Sequence, residues 1–312
     1  MRIAWLSFLD VNSFSGGGEL AQRDLIRIGR ERGHTITESP FLRGRAQRAL
    51  RRSRLYRRVE VDWNADVFVL SNLRNCPHLN LPFPGDVLER VLASRRVALV
   101  EDAWVDTCEF DMPCGGDPQA CPSGCDREWS RNLFARSQIA VFVSPMQQRM
   151  IKSVLEVALP PHQILRRPFI DTQMFIHLGL ERDIDVLYVG TISEAKGYQN
   201  LTRTYDSDRL TFVGPSVLSE PITGTYLGAL PYEALPELYN RARTFAHLPQ
   251  WYEPMGRTVV EASLCGCEVV TNERVGVTSY PKPDWADPVV IEGNGERFWI
   301  DFEGAVEELP SR

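Results

Sequence analysis

The chain has 312 residues, enough for two domains with full cores, and its 43% hydrophobic and 24% charged content is ordinary for a globular protein. A formal charge of −6 argues against a nucleic-acid binder, and no run of about 18 apolar residues is present to span a membrane. The opening MRIAWLSFLDVNSF has one basic residue and an early Asp10, so it does not read as a secretion signal; a cytoplasmic protein with reduced thiols is expected.

Ile3–Phe8 is a short apolar run ending at a turn, which predicts a buried strand. Gly16-Gly17-Gly18 follows, then Glu19–Arg32, whose apolar positions 20, 25, 26 and 28 among charges fit a helix. Further strands are expected near Thr35–Glu38 and over Val67–Leu70, Val97–Val100 and Ile139–Val143, with a helix over Met146–Val157. Pro160-Pro161 and Arg167–Asp171 mark the end of this unit, and the pattern then restarts. Val186–Val189, Leu210–Val213, Thr244–His247 and Val269–Thr271 read as strands; Gln199–Tyr205, Leu235–Ala242 and Met255–Leu264 read as helices, as does Gly295–Leu309. Strands alternating with helices predict parallel α/β sheets. Two successive doubly wound units take ligands at the carboxyl ends of their strands, hence in a cleft between them.

Glu253-Pro254-Met255-Gly256-Arg257-Thr258-Val259-Val260-Glu261 places two carboxylates eight residues apart across a predicted helix start. Pro254 suits a first helical turn, and Gly256 permits close approach of a ligand to the backbone. Unpaired N–H groups and the helix dipole attract a phosphate there. At ~1.5 Å per residue the pair spans roughly 12 Å, a layout for gripping hydroxyls at both ends of a sugar–diphosphate–ribose ligand. Lysine occurs only at 152, 196 and 282, which singles out Lys196.

Glu, seven residues, Glu resembles the hallmark of the retaining GT-B glycosyltransferases, in particular the large GT4-type (glycosyl transferases group 1) family. VLYVGTISEAKGYQNLTRTY from Val186 looks like the strand, loop and helix that open that family's second domain. CGCEVVTNERVG from Cys265 looks like the strand and loop after the hallmark helix, and Ser15-Gly16-Gly17-Gly18-Glu19 like its first glycine-rich turn. The resemblance implies an α/β GT-B fold, two Rossmann-like domains facing across a cleft. It implies an acceptor-side domain over 1–171 and a nucleotide-sugar domain over 172–312, whose last helix, about 295–309, packs back on the first domain.

The same resemblance assigns roles. Glu261 holds the ribose hydroxyls, and Glu253 sits near the donor sugar. Met255, Gly256 and Arg257 belong to the diphosphate site, the last two through backbone N–H groups. Lys196 neutralises the diphosphate in a second phosphate element, Gly190–Gly197. The family usually has an Arg shortly after the position of Gly190; here Thr191 follows. Gly17 and Gly18 approach the donor or acceptor from the first domain, and Leu230 with Pro231 contacts the base. Glu101-Asp102 falls where many members place His-Asp, so the first-domain catalytic residue departs from the pattern. Asp171 matches an interdomain Asp that ties the linker. The family is described as lacking a protein base, the departing phosphate accepting the acceptor's proton, so no catalytic metal is expected.

Cys108, Cys114, Cys121 and Cys125 fall within eighteen residues of a Gly/Pro/Asp-rich stretch. Four thiols in a cytosolic loop read as a structural Zn²⁺ site, with free or disulfide-bonded cysteines and an iron–sulfur cluster as the alternatives; Cys76, Cys265 and Cys267 read as packed. Arg43–Arg58 holds eight arginines with Leu50, Leu55 and Tyr56 among them. It reads either as a solvated basic segment or as an amphipathic helix meeting anionic lipid or a lipid-diphosphate acceptor, a peripheral membrane contact.

The expected function is therefore sugar transfer from a nucleotide-diphosphate sugar to an unidentified acceptor, without nucleic-acid partners. The alternatives are a nucleotide-sugar epimerase or phosphorylase on the same fold, or a degenerate GT-B subunit that binds without turnover.

Overall fold

The structure, a computed structural model, describes residues 1–13, 16–42, 59–73, 84–101, 127–155 and 158–310. Asp102, Cys76, the four clustered cysteines and Arg43–Arg58 lie outside these residues, as does the side chain of Glu101. The chain forms two compact units. The first comprises Met1–Val143, Gln147–Arg166 and Gly295–Arg312, the second Ser144–Met146 and Arg167–Asn294.

In the first unit, strands β1 (Arg2–Leu9), β2 (Thr35–Leu42), β3 (Val67–Ser71), β4 (Val97–Glu101), β5 (Ile139–Phe142) and β6 (His162–Leu165) make one parallel sheet of order β2-β1-β3-β4-β5-β6. Helices α1 (Gly17–Glu31), α2 (Gly85–Leu92), α3 (Arg127–Arg136) and α4 (Pro145–Leu155) connect them, the first turn of α4 grouping with the second unit. Ile3, Leu6, Val67, Val69, Val97, Leu99, Ile139 and Val141 are fully buried, the continuous apolar runs that a two-sided sheet needs.

The second unit holds β7 (Ile184–Val189), α5 (Tyr198–Thr204), β8 (Leu210–Val213), β9 (Thr225–Tyr226), α6 (Leu235–Arg241), β10 (Ala242–His247), α7 (Arg257–Leu264), β11 (Glu268–Thr271) and α8 (Pro283–Ala286). Its parallel sheet runs β11-β10-β7-β8-β9. Successive residues of β7 serve opposite faces, as the two-residue period of a strand requires. Leu187 and Val189 join Tyr239, Phe245, Val259 and Trp285 in one core cluster; Val186 and Tyr188 join Leu201, Phe212 and Ala246 in the other.

The last helix, α9, spans Pro288–Glu307. It begins seven residues before the expected Gly295, because Asp287 caps it: the Asp287 carboxylate accepts the Val289 N–H at 2.9 Å, and Pro288 supplies a helical φ at the start. Its C-terminal part groups with the first unit. There Trp299 donates its indole N–H to the Leu25 carbonyl at 3.0 Å, and Arg32 pairs with both oxygens of Glu303 at 2.9 and 2.7 Å. Gly29 makes this packing feasible, since a Cβ there would sit 2.3 Å from the Trp299 ring.

Four further elements were not expected from the sequence: α2, α3, β6 and α8. The short edge strand β9 is a fifth. The helix expected over Met255–Leu264 is corrected at its start. It begins at Arg257, and Pro254 belongs to the preceding loop, because Gly256 takes a left-handed φ of +88° that breaks any helix running through it.

Candidate functional site

The sheet order of the second unit singles out one place. From β7 the chain goes to β8 on one side and later returns to β10 on the other. The helices that follow β7 and β10 pack in different core clusters, Leu201 of α5 in one and Val259 of α7 in the other, and such switch points take ligands in parallel sheets. Strand β7 hands over to Gly190, and β10 ends at His247.

Gly190 has φ +145° and donates its N–H to the Val213 carbonyl at 2.9 Å. Thr191 is exposed, and its carbonyl accepts the Tyr188 hydroxyl at 2.8 Å. Ser193 Oγ then accepts the Lys196 N–H at 3.1 Å. Gly197, at φ +94°, presses against the loop after β10: a Cβ there would lie 2.1 Å from the Leu248 carbonyl oxygen. The Gln250 and Trp251 N–H groups both donate to the Ala195 carbonyl, at 3.0 and 3.3 Å. Two loops from adjacent strand ends are thus tied together, and the tie brings Lys196 to Glu253. Lys196 Nζ bonds Glu253 Oε2 and stands 4.1 Å from the centre of the Trp251 ring.

Glu253 is held by its backbone. Its N–H donates to the Arg274 carbonyl and its carbonyl accepts the Gly276 N–H, both at 2.8 Å. A Cβ at Gly276 would fall 1.8 Å from the Pro254 oxygen, so only glycine admits this approach. His247 Nε2 lies 3.8 Å from the same Oε2 that Lys196 holds. Burial alone would raise the Glu253 carboxyl, but the Lys196 ammonium and the His247 imidazole outweigh it and hold the carboxyl down at about 2. Glu253 is therefore an anion over the working pH range.

Gly256 is the N-cap of α7 and lends no side-chain cap. The first turn of any α-helix presents N–H groups toward its start, where the dipole also favours negative charge, so the Arg257 end of α7 is suited to an anion. Met255 is part-buried against the core, and its carbonyl accepts the Val277 N–H at 2.6 Å.

Glu261 stands one turn further and is 1% exposed. Its Oε1 accepts the Tyr232 hydroxyl at 2.7 Å and Arg257 Nε at 3.0 Å; its Oε2 accepts the Tyr239 hydroxyl at 3.1 Å. A carboxylate offers about four acceptor positions, so these donors leave it close to saturated. Burial and then the Glu261 charge push both phenols well above their usual range, keeping them hydrogen-bond donors. Leu230 is exposed and precedes the short turn Tyr232–Ala234 that carries Tyr232.

The structure thus gathers Lys196 with Glu253, and Glu261 with Arg257, on either side of the α7 start. Gly190, Thr191, Met255 and Gly256 occupy the same loops, and Leu230 leads into Tyr232. Gly17 and Gly18 lie in the first turn of α1 in the other unit, Gly17 exposed. Glu101 closes β4 there. Asp171 caps a turn, its carboxylate accepting the Gln173 and Met174 N–H groups at 2.9 and 3.1 Å. Cys265 and Cys267 are free and buried, and burial pushes their thiols up to about 12 and about 11. Among the described residues no group of three His, Cys, Asp or Glu side chains is placed to hold a metal, and no helix is long and apolar enough to cross a membrane.

Sequence reading missed Tyr232, Tyr239, His247 and Trp251. His247 carried a usable signal, an imidazole closing a predicted strand directly after the apolar pair Phe245-Ala246.

Residues 223–294 match the family model "Glycosyl transferases group 1". A stretch of 57 residues is 47% identical to O-antigen chain mannosyltransferase B of Escherichia coli, covering 18% of this chain and 14% of that relative. Among solved structures, sucrose-phosphate synthase from Thermosynechococcus elongatus superposes with a TM-score of 0.59 at 14% identity, over 99% of this chain and 94% of that one. HepE of Anabaena, solved in complex with UDP-glucose, gives 0.56 at 17% identity, over 98% of each chain. At these identities the structural likeness is one of fold. The chain has the GT-B fold of the glycosyltransferases, and its second unit carries the group 1 match.

Proposed function

We propose that the protein is a retaining glycosyltransferase that moves a sugar from a nucleotide-diphosphate sugar to an acceptor. The observation that carries the proposal is the α7 start, which begins at Arg257 after a left-handed Gly256 and stands between the Lys196–Glu253 pair and the buried Glu261. In this reading the diphosphate lies on the helix start, with Lys196 stabilising the charge that builds on it as the sugar leaves. Glu253 turns its second oxygen to the sugar hydroxyls. Glu261 receives a ribose hydroxyl when Arg257 gives up its place on Oε1 and turns to the diphosphate, a better partner for a guanidinium than a carboxylate already bonded by two phenols. The departing phosphate oxygen takes the acceptor's proton on the same face, so the new glycosidic bond keeps the donor's anomeric configuration.

A nucleotide-sugar donor agrees with the ligands of the Anabaena HepE structures. A cytoplasmic location belongs to the same proposal, as does a structural zinc on the four clustered cysteines. The zinc is tested by elemental analysis of protein purified without added metal, near one equivalent per chain against none.

The test of function is a screen of UDP-, GDP- and ADP-sugars by thermal shift, since a ligand that binds only the native state raises apparent stability. Turnover and product configuration are then read by NMR. Wild type should bind at least one donor, and Lys196→Ala should lose transfer by about a hundredfold, the usual weight of one preorganised charge at a developing anion. Unchanged nucleotide binding and turnover in both Lys196→Ala and Glu261→Ala would refute the site.

A further inference from the structure

His247 is buried at the carboxyl end of β10, 3% exposed. Its ring lies 5.8 Å from that of Tyr188. Nε2 faces Glu253 Oε2 at 3.8 Å, while Nδ1 is buried with no protein hydrogen-bond partner. Whether it carries a hydrogen or a lone pair, Nδ1 is a buried polar atom left unpaired. A leucine or valine would close this apolar strand end without that penalty, and an unsatisfied buried polar atom in a well-packed core calls for a reason other than stability.

The two oxygens of Glu253 supply the reason. Lys196 and His247 both address Oε2, and no described donor bonds Oε1. Held by one cation alone, a carboxylate rotates about its last torsion and exchanges its oxygens. A second partner from a different strand end fixes which oxygen is presented. The 3.8 Å separation is longer than a hydrogen bond, as expected where the contact closes only once ligand is bound.

We infer that His247 is a positioning residue: it locks Glu253 so that Oε1 alone faces the hydroxyls of the donor sugar. This rests on the reading of the site as a sugar-nucleotide pocket. It assigns His247 to the sugar half of the ligand and not to the nucleotide half, which α7 and Glu261 hold.

The test separates those halves. The full chain and its His247→Leu, His247→Gln and His247→Asn variants are titrated with UDP, UDP-glucose, GDP and GDP-mannose, and melting temperatures are recorded without ligand. For the sugar nucleotide that wild type prefers, His247→Leu should weaken binding about tenfold, the weight of one hydrogen bond to a charged group. The matching bare diphosphate should bind as in wild type. Gln, whose Nε2 reaches where the imidazole Nε2 lies, should restore most of the loss; Asn, which mimics Nδ1, should not. The inference is overturned if the leucine variant keeps the full advantage of the sugar nucleotide over the bare diphosphate, or loses both alike. It is overturned equally if Gln and Asn behave the same, a comparison that stands even if the leucine variant fails to fold. Failure of wild type to bind these probes and every other sugar nucleotide of the UDP-, GDP- and ADP-sugar screen would instead remove the sugar-nucleotide reading, and the role of His247 with it.

Discussion

Glu253 and Glu261 are the same residue type eight positions apart, yet the fold gives them opposite surroundings. Glu253 sits in a loop, its backbone fixed by Arg274 and Gly276, its Oε2 against a lysine and a histidine, its Oε1 unclaimed by any described donor. Glu261 sits on a helix, buried and bonded by two phenols and a guanidinium. One carboxylate is poised to gain a partner, and the other must exchange one. Charge alone does not define a binding carboxylate; what it already holds decides which part of a ligand it can take.

The contrast predicts unequal mutants. Glu261→Ala should cost the most stability, about 3 kcal/mol, because it strands the buried Tyr239 hydroxyl and the part-buried Tyr232 hydroxyl and Arg257 guanidinium. Urea denaturation measures this, and a loss under 1 kcal/mol would contradict the packing. Glu253→Ala should cost less, about 1 kcal/mol, since Lys196 is a quarter exposed and can turn to water. It should nonetheless abolish transfer while sparing binding of the bare diphosphate.

Gly256→Ala probes what separates the two residues. Its φ is +88°, and a Cβ would lie 2.5 Å from Val275 Cγ1. A loss of about 1–2 kcal/mol is expected, with weaker diphosphate binding as the helix start shifts.

A further effect is one of pH. The Glu253 carboxyl lies at about 2 in the folded chain against an ordinary 4.5, so folding favours its ionised form. That contribution is complete above about pH 4.5 and fades as pH falls toward 2. In Lys196→Ala the burial of Glu253 is no longer opposed by the ammonium, so the pH dependence between 2 and 4.5 should shrink or reverse. Denaturation midpoints across pH 2.5 to 6 distinguish the two, and identical profiles would contradict the pairing.

Much of the fold is legible in the sequence, because strands such as Val67–Ser71 and Ile139–Phe142 are short, wholly buried apolar runs. Strand β6 is not, since only Ile164 of His162–Leu165 is buried at the sheet edge. Helix α2 was readable in principle: Leu88, Val91 and Leu92 are buried at helical spacing. The misread helix start at Pro254 shows a limit of residue preference, because proline fits a first turn and equally fits the loop before a left-handed glycine. Within the site, Glu253, Glu261 and Lys196 belong to a spaced motif and could be found. Tyr232 and Tyr239 could not, since they reach Glu261 from 29 and 22 residues away, and only the folded sheet brings them there.

Hydrogen exchange on the full chain, with and without saturating sugar nucleotide, tests the central claim most directly. The account predicts new protection of the amides of Arg257 and Thr258 and of the loop carrying Lys196, lost in Glu261→Ala. Protection that appears elsewhere and leaves the α7 start unchanged would contradict it.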